Sequence, residues 1–197
     1  SKNGVKASVL SFVPLNDNCE ISQLTLTNGS SEDKKLSVFS YVEWCLWNAD
    51  DDMKNFQRNL STGEVEVQDS TIYHKTEYRE RRNHYAIYSV NTKIDGFDTS
   101  RDAFLGAYRG ADSPEAVENG KCTNSMASGW SPIASHQINV DLAAGETKTF
   151  IFVLGYIENP EDEKWESYGV INKTRAKEML AKYQTDAQVD EAFAALQ

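Results

Sequence analysis

Eight stretches of the chain place apolar and polar residues in alternation or near alternation. They are VKASVLSFV (5–13), EISQLTLTN (20–28), KLSVFSYVEWCLW (35–47), EVEVQ (64–68), TIYHKTEY (71–78), YAIYSVNT (85–92), HQINVDL (136–142) and TKTFIFVLGYI (147–157). A period of two puts one set of side chains on each face of an extended strand, and the β-branched and aromatic residues enriched here suit a pleated surface. Between them lie TNGSSEDKK, NTKIDGFDTSRD, RGADSPEAVENGK and LAAGE, whose Gly, Asn, Asp and Ser predict turns and crossovers rather than further regular elements. The pattern predicts a mainly β, antiparallel sandwich.

The period changes after Pro160. VINKTRAKEMLAKYQ (170–184) sets Ile171, Ala176, Met179 and Leu180 at helical spacing, and DAQVDEAFAALQ (186–197) does the same with Val189, Phe193 and Leu196. One or two C-terminal helices are therefore expected, and the chain divides into a β-sandwich domain over 1–168 and the start of a helical linker over 169–197. No internal repeat or low-complexity tract marks a second independent core.

Composition narrows the partners. A chain of 197 residues with 40% hydrophobic and 11% aromatic residues can bury a sizeable core. Twenty basic against thirty acidic residues give a net charge of −10, which repels phosphate backbones and anionic surfaces, so neither nucleic acid nor a membrane is expected as a partner. No segment has the run of roughly 20 apolar residues that a spanning helix needs, and SKNGVKASVLSFV lacks the apolar core of a secretory signal. Cys19, Cys45 and Cys122 are odd in number and without CxxC spacing, which reads as reduced structural thiols in a cytoplasmic protein.

Candidate chemistry is sparse. YHKTEYRERRNHY (73–85) gathers His74, His84, basic residues and tyrosines; on an alternating strand His74, Thr76 and Tyr78 share one face and Lys75, Glu77 and Arg79 the other, the pattern of a solvated, salt-bridged hairpin. The two histidines are ten residues apart and His136 lies in another strand, so no metal site is expected. GxSxG, phosphate-binding loop and dinucleotide fingerprints are all missing. Trp44, Trp47, Trp130 and Trp165 raise the idea of a sugar-stacking platform, although Trp44, with its apolar neighbours, reads as core. Asp50, Asp51 and Asp52 are adjacent acids whose spacing implies a solvated loop rather than a glycosidase pair.

The blocks FVPLNDNCE (12–20), FSYVEWCLWNADDDMKNFQRNLSTGEVEV (39–67), IYHKTEYRERRNHYAIYSVN (72–91), DGFDTSRDAFLGAY (95–108), SGWSPIASH (128–136) and FVLGYIENPEDEKW (152–165) closely resemble, in the same order, the cellobiose phosphorylases of glycoside hydrolase family 94. The resemblance implies the later part of an antiparallel super-sandwich of the galactose-mutarotase-like type. It also implies further sandwich before Ser1 and an (α/α)6 barrel after Gln197 that carries the general acid and the phosphate site. The implied substrates are a β-linked disaccharide or glucose and inorganic phosphate, with no cofactor, and the implied protein partner is the second subunit of a homodimer.

In that family a sandwich loop of one subunit reaches the active site of the other. The resemblance puts WNADDDMKNFQRN (47–59) in that role, with Gln57 and Arg58 touching sugar hydroxyls, while no catalytic residue falls within this chain. An amide and a guanidinium suit a neutral polyol because both present donors in fixed geometry. Arg58 could equally pair with Asp50 to Asp52 in its own loop. The same part could be played in a cellodextrin, chitobiose or laminaribiose phosphorylase, and a stand-alone carbohydrate-binding module is the reading from another class.

Overall fold

The computed structural model describes residues 1–44, 64–75, 83–129 and 132–197. Its largest sheet contains β1 (Val5–Phe12), β2 (Cys19–Asn28), β5 (Val65–Gln68), β6 (Thr71–His74), β7 (His84–Val90) and β10 (Thr147–Glu158). The strand order is β1-β2-β10-β7-β6-β5, and every pairing is antiparallel. A second sheet forms around β9 (Pro132–Leu142), which pairs with β3 (Lys34–Phe39), β4 (Val42–Glu43) and β8 (Gly96–Ser100). The mainly β, antiparallel reading holds.

Apolar residues in both phases of the alternation explain the layering. Along β10, Phe150, Phe152 and Leu154 meet Leu26, Tyr88, Val140 and Leu142 between the two sheets. The intervening Ile151, Val153 and Ile157 face the other way, with Ile21, Tyr85 and Ile87. That second face is covered by the C-terminal segment: β11 (Trp165–Ser167), β12 (Val170–Ile171), a helix at Thr174–Leu180 and another at Asp186–Ala194. Ile171, Ala176, Met179, Leu180, Tyr183 and Val189 all join this cluster. Ile171, Met179, Leu180 and Val189 each contribute about 1.5–3 kcal/mol on leaving water, and the helices form a third layer.

Four elements depart from the sequence reading. KLSVFSYVEWCLW, read as one strand, is interrupted among its described residues, with β3 ending at Phe39 and β4 taking up at Val42. Ile171 lies in β12 rather than at a helix start, because it pairs with Trp165 across a two-stranded hairpin; the helix begins three residues later. NTKIDGFDTSRD, expected as a connection, contains β8 and the first two residues of helix α1 (Arg101–Leu105). One of its three aspartates acts inward: fully buried Asp98 accepts hydrogen bonds from the backbone and hydroxyl of both Thr123 and Ser125, which fastens β8 beneath the loop that follows. RGADSPEAVENGK includes α2 (Glu115–Glu118), whose Ala116 packs with Phe104, Leu105 and Ile133. The two C-terminal helices are thus α3 (Thr174–Leu180) and α4 (Asp186–Ala194), and α4 is opened by a Thr185–Gln188 capping box.

LAAGE passes from β9 to β10 and so from one sheet to the other, as TNGSSEDKK does between β2 and β3. Both crossings are fastened by Asn28, wholly buried, whose amide donates to the carbonyls of Glu32, Leu142 and Ala143 at 2.8, 3.1 and 3.0 Å.

Gly155 sits in β10 directly beneath α3, and a Cβ there would meet the Met179 methyl and Ile87 Cγ1. We expect Gly155→Val to cost about 1–3 kcal/mol through overpacking, read as a lowered urea midpoint with an unchanged slope. An unaltered midpoint would mean that α3 does not rest on the strand.

Candidate functional site

Several stems meet at one corner of the sandwich. Trp44, at the end of β4, packs its ring against that of His74 at the end of β6, with centroids 5.3 Å apart. Lys75 N donates to the Glu64 carbonyl at 2.9 Å, and Glu64 bridges to Ser128. The described residues flanking 45–63, 76–82 and 130–131 therefore converge on this corner. Gln57 and Arg58 lie outside the described residues, as do Asp50 to Asp52, Cys45, Trp47 and Trp130.

Beside the corner, on the helix side of the sheet, lies a buried ionic knot. Glu66 pairs with Lys75 at 3.1 Å and with Lys173, both lysines being almost wholly buried. Lys75 also donates to the Gly169 carbonyl at 2.7 Å, and Ile171 N donates to Glu66 Oε1 at 2.9 Å. One carboxylate thereby ties β5, the end of β6 and the β11–β12 hairpin together. Burial opposes ionisation of Glu66, but the hydrogen bonds from Lys173, Ile171 and Lys75 outweigh it and hold the carboxyl below its usual range.

Among its described residues the 73–85 segment is not the solvated hairpin expected from the sequence. Every residue of β6 and β7 is buried, because both faces of this part of the sheet are covered. His74 turns to Trp44 and Lys75 to the knot, while Thr76, Glu77, Tyr78 and Arg79 lie outside the described residues. The knot escaped the sequence reading because EVEVQ looks like a strand with one wet face, and its partner Lys173 stands in the distant C-terminal segment.

The histidines are core residues. His136 packs against both Tyr88 and Phe152, at 5.0 and 6.4 Å, which also contact each other at 5.9 Å, and its Nδ1 is 3.4 Å from Ser40 Oγ. His84 packs against Tyr156. Among the described residues no group of three or more His, Cys, Asp or Glu is placed to hold a metal. Cys19 and Cys122 are buried free thiols, each pushed up to about 12, chiefly by burial, which leaves them unreactive.

Burial also pushes His74 down to about 4 and His136 down to about 3, from 6.5. A base whose folded-state pKa is depressed takes up its proton more readily in the unfolded chain. The stability it confers is complete above about 6.5 and is lost as pH falls towards the folded value. Urea unfolding between pH 6 and 5 should show the free energy dropping by about 2.5 kcal/mol per pH unit for the two groups together. His136→Phe should roughly halve that slope, and a flat profile would contradict neutral burial.

Comparison with known proteins agrees with this architecture. Residues 1–186 match the family described as glycosyl hydrolase 94, supersandwich domain. An N,N'-diacetylchitobiose phosphorylase of Vibrio furnissii is 29% identical over 98% of this chain and 22% of its own length. A solabiose phosphorylase of Paenibacillus borealis is 26% identical over 98% of this chain and 23% of its own. The chain thus spans about a fifth of the length of these relatives. A solved polysaccharide lyase aligns over 83% of this chain and 22% of its own, with a TM-score of 0.47 and 11% identity. With its match running through both sheets and α3, this chain belongs to the glycosyl hydrolase 94 supersandwich domain family.

Proposed function

We propose that this chain is the non-catalytic supersandwich portion of a cytoplasmic, dimeric disaccharide phosphorylase, with cellobiose as its substrate. Residues 169–197 would begin the linker to a catalytic (α/α)6 barrel. In inverting phosphorolysis inorganic phosphate attacks the anomeric carbon while one carboxylic acid protonates the departing oxygen; the substrate thus replaces the second carboxylate of a hydrolase. The sandwich then needs no acid of its own. Its part is to present the 47–59 loop, with Gln57 and Arg58 as donors to the sugar hydroxyls of the neighbouring subunit.

The observation that carries this reading is the family match over residues 1–186, together with two phosphorylases among the relatives. The convergence of the flanking stems on a corner braced by Trp44, His74 and Lys75 supports a role for that corner in presenting the loop. A chitobiose phosphorylase is the second reading, favoured by the 29% identity to the Vibrio furnissii enzyme.

In the intact phosphorylase, Arg58→Ala should remove a charge-assisted hydrogen bond worth about 1.5–3 kcal/mol. That appears as a kcat/KM for phosphorolysis lower by about 10- to 100-fold at unchanged melting temperature. Subunits carrying Arg58→Ala mixed with subunits lacking the catalytic acid should regain activity. Unchanged kcat/KM with a lowered melting temperature would show Arg58 pairing only with its own aspartates.

A further inference from the structure

Trp165 is one of the two tryptophans among the described residues, and unlike Trp44 it is not a core residue: 39% of it is exposed. Its position is nonetheless fixed. Trp165 pairs across the hairpin with Ile171, which is fully buried, and Asn172 N donates to the Lys164 carbonyl at 2.8 Å. Two buried ammonium groups lie against its ring, Lys164 Nζ at 4.7 Å and Lys75 Nζ at 5.8 Å from the centroid. Lys75 is itself held by Glu66 and by the Gly169 carbonyl. The indole therefore caps the ionic knot with part of its surface and offers the remainder to solvent.

An aromatic ring left partly exposed and locked in orientation can bind a flat apolar surface with little loss of rotamer entropy. Its rim decides which surface. Glu161, Asp162, Glu163 and Glu166 are exposed along the same segment, and Tyr168 at the hairpin turn is fully exposed. With a chain charge of −10, such a rim repels phosphorylated ligands and nucleic acid. Carboxylates and a phenol accept and donate hydrogen bonds to neutral hydroxyls. A pyranose ring with equatorial substituents presents a flat C–H face to an indole and a ring of hydroxyls to such a rim.

We propose that the β11–β12 hairpin is a surface saccharide-binding site, separate from the 47–59 loop, in which Trp165 stacks on a β-linked glucose unit and Tyr168 and the flanking carboxylates bind its hydroxyls. The choice of a neutral β-glucan as ligand rests on the phosphorylase reading; the platform itself rests on the exposed ring and its rim. Such a site would hold a β-linked glucoside at the protein surface without taking part in the chemistry.

The test is calorimetric titration of the 197-residue chain with cellopentaose, and with maltopentaose as the α-linked comparison. We expect binding of cellopentaose in preference to maltopentaose, weakened at least about tenfold by Trp165→Ala, which corresponds to about 1.4 kcal/mol, and less by Trp165→Phe. Thermal melting checks that the variant is folded; should Trp165→Ala fail to fold, Tyr168→Ala, altering a fully exposed side chain, must weaken binding in its place. Absence of cellopentaose binding at millimolar concentrations, equal or tighter binding of maltopentaose, or equal binding by folded Trp165→Ala would overturn the proposal. Loss of binding in Arg58→Ala with retention in Trp165→Ala would also overturn it and move the sugar to the loop. Loss of phosphorolysis in Arg58→Ala of the intact enzyme, with cellopentaose binding kept, leaves both readings standing independently.

Discussion

Strands β2, β6, β7 and β10 carry apolar side chains in both phases of their alternation, so neither face of the central sheet can be left to water. That constraint dictates the remaining layers. One face is met by the sheet around β9, the other by the β11–β12 hairpin with α3 and α4. Gly155 marks how closely the third layer rests, since any side chain there would run into Met179. The helices are thus part of the sandwich core.

A sandwich of this kind has few places for buried polar groups, and the charged and amide side chains it does bury serve as fasteners. Asp98 anchors the loop beyond β8, Asn28 holds two crossings, and Glu66 with Lys75 and Lys173 joins the sheet edge to the hairpin. A buried ion pair adds little net stability over a well-packed apolar equivalent, but removing one member leaves an uncompensated charge. Such groups therefore fix which segments meet. Here they fix the end of β6, from which the 76–82 segment departs, against the hairpin that carries Trp165.

Most of the fold was legible because each long strand has both a period of two and β-branched or aromatic residues. β10 combines Thr, Ile, Val, Phe and Tyr over twelve residues. β8 was not legible, since Gly96, Asp95 and Asp98 have turn chemistry and only the distant hydroxyls of Thr123 and Ser125 turn Asp98 into a strand residue. Ile171 fits a helical stripe as well as a strand, and its partner Trp165, just upstream, settles the matter. Of the site, the block order pointed to the family, whereas the ionic knot did not register: Glu66 and Ile171 are separated by 105 residues, and no local pattern marks such a meeting. Gln57 and Arg58 rest on resemblance and on the chemistry of their side chains.

A core shared by the C-terminal helices and the central sheet makes them one cooperative unit. Native-state hydrogen exchange measures this directly, through the amides of α3 at Lys177 to Leu180 and those of β7 and β10. A shared core predicts that the slowest amides of all three open with free energies within about 1 kcal/mol of one another, rising and falling together with denaturant as in a global transition. Exchange of α3 through a separate opening several kcal/mol below that of β7 and β10 would show a helical segment merely resting on a sandwich that is stable without it, and would contradict the account.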